Sequence, residues 1–178
     1  MPEIKKGAFT LDLGVFKMHV EVTEEDRQCA WELYTELCTR LALVGKASDE
    51  ECKDFEGEVL AESLDSVYRF FQEARGIMRK FPVGRLKENT DKHLGLLINE
   101  LMVKVLRPFL EKWQADYRHW WKEEADQKLS PFERQKNYPH YDEMLADWTD
   151  LRLLVRELLE VLVDTYKLTK LQCGVATD

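Results

Sequence analysis

The sequence predicts a mainly α-helical protein, in which four long helices form an antiparallel bundle and a short β-ribbon precedes them. Apolar residues recur every three or four positions in four long segments, which places them on one face of a helix. The 178 residues contain only eight glycines and five prolines, which agrees with long helices. A chain of this length buries roughly two thirds of the surface that its unfolded form exposes. We therefore predict a single helical-bundle domain over residues 1–178.

The predicted β-ribbon lies at residues 8–22, where Phe16, Met18 and Val20 alternate with polar residues. An alternation of this kind is the period of a β-strand. Gly14 divides the segment, which predicts either a hairpin that turns near Gly14 or one strand with a bulge there. Two strands are only marginally stable alone. We therefore expect the ribbon to cover one end of the bundle or to pair with another chain.

The first two helices are predicted at residues 23–44 and 48–81. Thr23 has the side chain of an N-cap and is followed by acidic residues, which complement the positive end of a helix. Ser48 and Glu51 have the spacing of a capping box, which predicts the start of the second helix. The second helix continues with apolar spacings of three and four, a pattern typical of bundles.

The other two helices are predicted at residues 90–125 and 139–168. Pro108 lies inside the first of them and predicts a kink near Lys104 to Arg107, because proline cannot donate a backbone hydrogen bond. The apolar sector of the last helix is unusually wide. It is therefore either the most central helix of the monomer or one with a second face that meets another subunit. The predicted interface residues are Trp120, Trp121, Leu153, Leu154 and Val161.

Composition limits the possible partners and locations. The net charge of −8 argues against broad attraction to nucleic acid or anionic membranes. The strongest apolar run, residues 151–163, is interrupted by four charged residues, so no membrane span is predicted. The four cysteines form no CxxC motif, and the chain opens without the apolar core of a signal peptide. These features predict a cytoplasmic protein.

One basic segment stands out against this acidic background. It is interleaved with aromatic residues and would suit phosphate or nucleic acid. A charged helix side is more often simply solvated, so we rank nucleic acid below a protein partner. The predicted basic patch consists of Arg69, Arg75, Arg79, Lys80 and Arg85.

The sequence contains no Glu-x-x-His pair, no Gly-rich phosphate loop and no common hydrolase motif. His119 and Glu123 lie one helical turn apart, but two ligands do not make a metal site. We therefore predict neither a metal nor a cofactor.

The segment from Arg134 to His140, RQKNYPH, resembles the motif of HEPN ribonucleases. In that family, helical bundles pair as dimers, and arginine and histidine from both subunits form an RNA-cleaving site without metal. The resemblance implies that His140 moves protons and that Arg134 stabilises charge on phosphate. A polar residue, Gln135, follows the arginine as in the family, whereas Pro139 departs from the pattern.

Three segments together, AWELYTELCTRLA, SLDSVYRFFQEARGIMRKFPVG and HLGLLINELMVKVLRPFLEKWQADYRHWW, resemble uncharacterised bacterial helical proteins of conflict and antiviral-defence loci. This resemblance implies an accessory, sensing or partner-binding role and assigns no functional residue. The favoured hypothesis is a non-enzymatic interaction protein that acts through protein contacts or as a homodimer, in a prokaryotic defence system. The alternative hypothesis is a dimeric HEPN-type ribonuclease.

Overall fold

The computed structural model of the chain describes residues 3–13, 22–80 and 94–171. Strands β1 (Glu3–Lys6) and β2 (Phe9–Asp12) form an antiparallel sheet. The helices in chain order are α1 (Glu24–Cys38), α2 (Leu41–Val44), α3 (Leu60–Arg79), α4 (Leu94–Glu100), α5 (Arg107–His119), α6 (Pro131–Gln135) and α7 (Tyr141–Tyr166). π-Helical turns follow α4 and α5, at Leu101–Leu106 and Trp120–Glu124. The predicted mainly helical fold with an N-terminal ribbon is confirmed, whereas the antiparallel four-helix arrangement stays a prediction.

The described hairpin turns at Gly7, where Lys6 pairs with Phe9 across a two-residue loop. Gly7 has φ +51°, a conformation that glycine adopts without strain. A Cβ atom at Gly7 would lie 1.9 Å from a carboxylate oxygen of Asp150, so glycine is also required by space. The part of the predicted ribbon from residue 14 to 21 lies outside the described residues.

The first helix begins as predicted and ends earlier than predicted. Thr23 and Asp26 form a complete capping box at the start of α1. The α1 helix ends at Cys38, and the short helix Leu41–Val44 follows it. Gly45, with φ +67°, is the C-cap of that short helix and directly follows the predicted helical range 23–44.

The prediction that the second helix begins at Ser48 is wrong, because α3 begins at Leu60. In the intervening segment the carboxylate of Asp49 accepts a hydrogen bond from the backbone N–H of Asp54 at 2.6 Å. Cys52 has φ +57°, which is incompatible with a continuous helix. Local bonds from side chain to backbone compete with helix formation, and here they prevail.

The predicted helix at residues 90–125 is helical in its described part, and residues 90–93 lie outside that part. The disturbance predicted at Lys104 to Arg107 takes the form of the π-helical turn Leu101–Leu106. Pro108 explains it, since the proline ring clashes with the carbonyl group four residues earlier in a regular α-helix. A π-helical turn relieves that clash without ending the helix.

The last predicted helix, residues 139–168, is present as α7, which begins and ends two residues inside those limits. The predicted polar connection before it contains the short helix α6. Ser130 and Glu133 form a capping box at the start of α6. The α7 helix packs against α1, α2 and β1, and its buried residues cover most of its circumference.

Cys29 and Cys52 are buried free thiols, and burial raises the pKa of each of them. Cys38 takes part in a disulfide bond. This bond does not support the predicted cytoplasmic location, because disulfides persist mainly in oxidising compartments. That location stays a prediction. None of the helices in the described ranges combines the length and the apolar character needed to cross a membrane.

Arg156 of α7 holds the irregular segment 45–59 by its backbone. Its guanidinium group donates hydrogen bonds to three carbonyl oxygens, those of Val44 (2.7 Å), Lys46 (2.5 Å) and Asp49 (2.8 Å). These bonds satisfy backbone acceptors that a helix would otherwise pair internally. The segment is therefore ordered by a side chain from the far end of the sequence.

Arg152 lies one turn earlier on α7 and is completely buried. Its Nη2 atom donates to both carboxylate oxygens of Glu58, at 2.8 and 2.6 Å, and its Nε atom donates to the carbonyl oxygen of Ala42 at 3.3 Å. The aromatic ring of Phe55 lies over the guanidinium group, with 4.1 Å between the ring centre and Cζ. Arg152 and Glu58 thus form a buried ion pair that joins α7 to the segment before α3.

We expect the substitution Arg152→Met to lower the free energy of unfolding by about 3–5 kcal/mol, because it leaves the carboxylate of Glu58 buried without a cation beside it. The double substitution Arg152→Met and Glu58→Leu should recover much of this loss, since no buried charge remains. Urea denaturation measures both effects. Lys170→Met removes a cation from an exposed pair with Glu160 and is the matched control, expected to change stability little. An Arg152→Met variant as stable as this control would contradict the structural role.

Candidate functional site

A groove of about 620 Å³ opens between residues 53–57 and the region where α6 leads into α7. The described part of the chain therefore offers a concave surface within the size range of ligand sites. The groove-lining residues that matter for recognition are Lys53, Phe55, Phe132, Lys136, Tyr141 and Leu145.

Gln135 fixes the position of α6 at the bottom of this groove. Its side chain is buried, its Oε1 atom accepts a hydrogen bond from the backbone N–H of Leu60 at 3.0 Å, and its Nε2 atom donates to the carbonyl oxygen of Glu58 at 2.9 Å. One amide thus satisfies a free N–H at the start of α3 and ties α6 to the opposite wall. The two walls are held in register by this side chain.

Apolar side chains form the walls of the groove. Phe132 is 46% exposed, which is unusual for a phenylalanine on a folded protein. Phe55 is buried against Arg152, and Tyr141 and Leu145 are half-buried on the first turns of α7. An exposed aromatic ring beside a concave apolar surface is typical of a protein-binding site.

Charges of both signs line the rim of the groove. A hydrogen bond from Lys46 (2.8 Å) holds the pKa of Asp54 below its ordinary value, and a hydrogen bond to Glu51 raises the pKa of Lys53. Both groups therefore stay charged near neutral pH. Glu56 and Lys136 form no ion pair within the described residues, so they are available to a partner.

A second hollow, of about 380 Å³, continues the groove along α7 and includes Leu145 and Asp150. Asp150 lies against the hairpin turn at Gly7. Burial and, to a smaller extent, the charge of Asp147 raise the pKa of Asp150, while Lys6 opposes the shift. The carboxylate at this position is therefore held in an environment that favours its neutral form.

The predicted interface residues divide into two groups. Trp120 is 7% exposed and Leu154 is completely buried, so neither offers a surface to a partner. Both belong to the hydrophobic core, whereas their neighbours Trp121 and Leu153 project about 100° away around the helix and are only partly buried. Trp121, Leu153 and Val161 are half-buried. These three stay the predicted interface residues.

Arg134, the arginine of the HEPN-like segment, forms hydrogen bonds and a ring contact within its own chain. Its guanidinium group donates to the side chain of Gln127 at 2.8 Å and to the carbonyl oxygen of Leu129 at 3.2 Å. It also lies 4.5 Å from the centre of the Trp121 ring. These contacts stabilise the loop before α6. They account for an arginine at this position without any role in binding a substrate.

His140, the histidine of that segment, is 58% exposed and lies before the first turn of α7. Its Nδ1 atom is 3.7 Å from the carboxylate of Glu143, and its ring packs edge-on against Tyr138. Pro139 separates α6 from α7, so Arg134 and His140 belong to different elements of the fold. The ribonuclease hypothesis stays a prediction.

Four cations of the predicted basic patch are described and lie exposed between the middle of α3 and its end: Arg69, Arg75, Arg79 and Lys80. Arg85 lies outside the described residues. His119 is 3.6 Å from Glu124 rather than being paired with Glu123. Within the described ranges, no three His, Cys, Asp or Glu side chains are grouped closely enough to hold a metal ion.

The groove itself was not predicted from the sequence. Its walls come from residues 53–57, from α6 and from α7, and no local pattern joins these segments. The available signal was the sequence Ser130-Pro131-Phe132-Glu133, in which a capping box carries an exposed aromatic residue on the first turn of a short helix.

No protein-family model matches the chain, and no curated protein or solved structure is significantly similar to it.

We expect Arg134→Ala to lower the free energy of unfolding by about 1–3 kcal/mol, because it removes three hydrogen bonds and a contact with Trp121. His140→Ala, at an exposed position, should leave stability unchanged within error. Thermal denaturation measures both. The same proteins incubated with labelled RNA test the ribonuclease hypothesis, which requires cleavage by the wild type that His140→Ala abolishes. Equal, negligible cleavage removes that hypothesis.

We expect the protein to lose stability relative to the Asp150→Asn variant as pH rises. The pKa of Asp150 is raised in the folded state. The stability that its proton contributes is therefore fully present below the ordinary pKa of an aspartate, and it is lost as pH rises through the raised pKa. Denaturation midpoints of the two proteins should therefore coincide at low pH and separate towards neutral pH. Asp164→Asn, at an exposed position of α7, controls for the loss of one negative charge. Parallel pH profiles of the wild type and Asp150→Asn would refute this expectation.

Proposed function

We propose that this chain is a non-enzymatic helical interaction protein that binds a partner protein in the groove between residues 53–57 and the start of α7. The observation that carries the proposal is the exposed ring of Phe132 beside the apolar walls formed by Phe55, Tyr141 and Leu145. Binding energy at protein interfaces concentrates in a few aromatic residues near well-packed pockets. The groove supplies both parts of such an arrangement.

The shape and charge of the groove favour a short exposed peptide segment of the partner. A volume of about 620 Å³ accommodates a few side chains and not a whole domain surface. Glu56 and Lys136 favour charges of both signs in that segment, on either side of a large apolar side chain. Charges at a rim of this kind contribute to specificity and orientation more than to affinity.

The walls of the groove are positioned before any partner binds. The Arg152–Glu58 pair supports Phe55, and Gln135 holds α6. A preformed site loses less conformational entropy on binding than a flexible one. In the biological setting that we propose, the partner belongs to the same prokaryotic defence system as this chain.

Selection from a displayed random-peptide library tests the proposal with a defined probe. We expect peptides with one large apolar residue to be enriched on the wild type. Synthetic versions of these peptides should bind the Phe132→Ala or Leu145→Lys variants at least about tenfold more weakly, because a central interface residue contributes roughly 2 kcal/mol or more. Isothermal titration calorimetry measures the affinities.

Leu41→Ala is the matched control, because Leu41 has the same exposed fraction as Phe132, 46%, and lies outside the groove. It should bind the selected peptides as the wild type does. Absence of enrichment, or peptides that bind the two groove variants as tightly as the wild type, would falsify the proposal. Light scattering on the wild type and the Phe132→Ala variant then reports whether the same surface also joins two copies of the chain.

A further inference from the structure

One side of α3 carries an exposed strip of cations with an aromatic ring among them. We call Tyr68, Arg69, Arg75 and Arg79 the arginine stripe. Tyr68, Arg75 and Arg79 are spaced by seven and four residues, so they lie along one line on the helix surface. Arg69 follows Tyr68 directly, so it projects about 100° farther around the helix. Tyr68 is 39% exposed and is one of few large apolar side chains with that exposure among the described residues.

The acidic side chains near the arginine stripe are neutralised by other cations. Lys80 forms an ion pair with Glu32 at 2.6 Å, and Arg118 forms one with Asp65. Arg69, Arg75 and Arg79 form no ion pair in the part of the chain that the structure describes. Glu62 and Glu73 are the exposed carboxylates of α3 that remain. The stripe is thus locally positive in a chain whose net charge is −8.

Helix stability accounts for only part of this arrangement. A cation in the last turn of a helix is stabilised by the partial negative charge of the C-terminal end, and Arg79 occupies that turn. The effect falls off within one turn, so it does not account for Arg69. Arg75 lies with its Cζ atom 4.9 Å from the centre of the Phe71 ring, which orients its guanidinium group and does not neutralise it.

Phosphate is the anion that this set of side chains suits best. A guanidinium group presents a planar fork of donors that matches a phosphate group, and it stays charged at every physiological pH. Residues 68–79 extend about 16 Å along the helix axis, enough to follow a short run of a polynucleotide backbone. An exposed tyrosine ring offers a surface on which an unpaired base can stack.

We propose that the arginine stripe binds the phosphates of a single-stranded nucleic acid and that Tyr68 stacks on one of its bases. This site is separate from the groove, and it does not depend on the proposed protein partner. The acidic net charge opposes nonspecific attraction to duplexes, because repulsion acts over the whole molecule. Binding is therefore confined to a strand that can reach the stripe and present an unpaired base.

Fluorescence anisotropy with labelled oligouridine and oligothymidine of about 12 nucleotides tests the proposal. Three phosphate contacts predict that the logarithm of the affinity falls with the logarithm of the salt concentration with a slope of about −2. The double substitution Arg75→Gln and Arg79→Gln should weaken binding about tenfold at low salt and reduce the slope to about −0.7.

Substitutions of Tyr68 separate stacking from charge. Tyr68→Ala should weaken binding about tenfold without a change in the salt slope, and Tyr68→Phe should retain the wild-type affinity, because the ring is what stacks. Lys122→Gln with Lys128→Gln is the matched control, since both lysines are exposed and lie outside the stripe. Circular dichroism confirms that each variant is folded.

Three results would overturn the proposal. The first is no binding of either oligonucleotide at low salt. The second is binding that the arginine substitutions leave unchanged or that the lysine control weakens equally. The third is equal affinity for a duplex of the same length, or binding to phosphatidylserine vesicles in place of oligonucleotides, since neither presents an unpaired base.

Discussion

The ion pair between Arg152 and Glu58 is the interaction on which the arrangement of the chain depends most. Both side chains are excluded from water, where an unpaired charge would be strongly unfavourable. The pair is satisfied only when the segment before α3 lies against the middle of α7. It therefore excludes alternative placements of that segment, and Arg156 extends the same constraint to the backbone of residues 44–49.

The proposed binding groove is a consequence of this constraint. Phe55 lies on the guanidinium group of Arg152, and the carbonyl group of Glu58 receives a hydrogen bond from Gln135 of α6. The same few residues thus position both walls of the groove. Stability and recognition are coupled here, because a change that disturbs the buried pair also moves an aromatic residue of the groove.

Local signals in the sequence predict the features that neighbouring residues determine, such as the cap at Thr23 and the disturbance caused by Pro108. The segment after Ser48 was predicted as helix because its capping pattern is local. The side chain that holds this segment in another conformation, Arg156, is more than 100 residues away in the sequence. The groove was not predictable for the same reason, since three separate segments form it.

The π-helical turn before α5 has a consequence for how the helix is aligned. The N–H of Arg107 bonds to the carbonyl oxygen of Met102, five residues earlier, and Pro108 then has no N–H with which to restore the α-helical pairing. One residue of slippage would rotate the following side chains by about 100°. Pro108 thus fixes how α5 is rotated about its own axis. It determines that Trp113 and Tyr117 point into the core, and so sets the orientation of the aromatic residues beyond them.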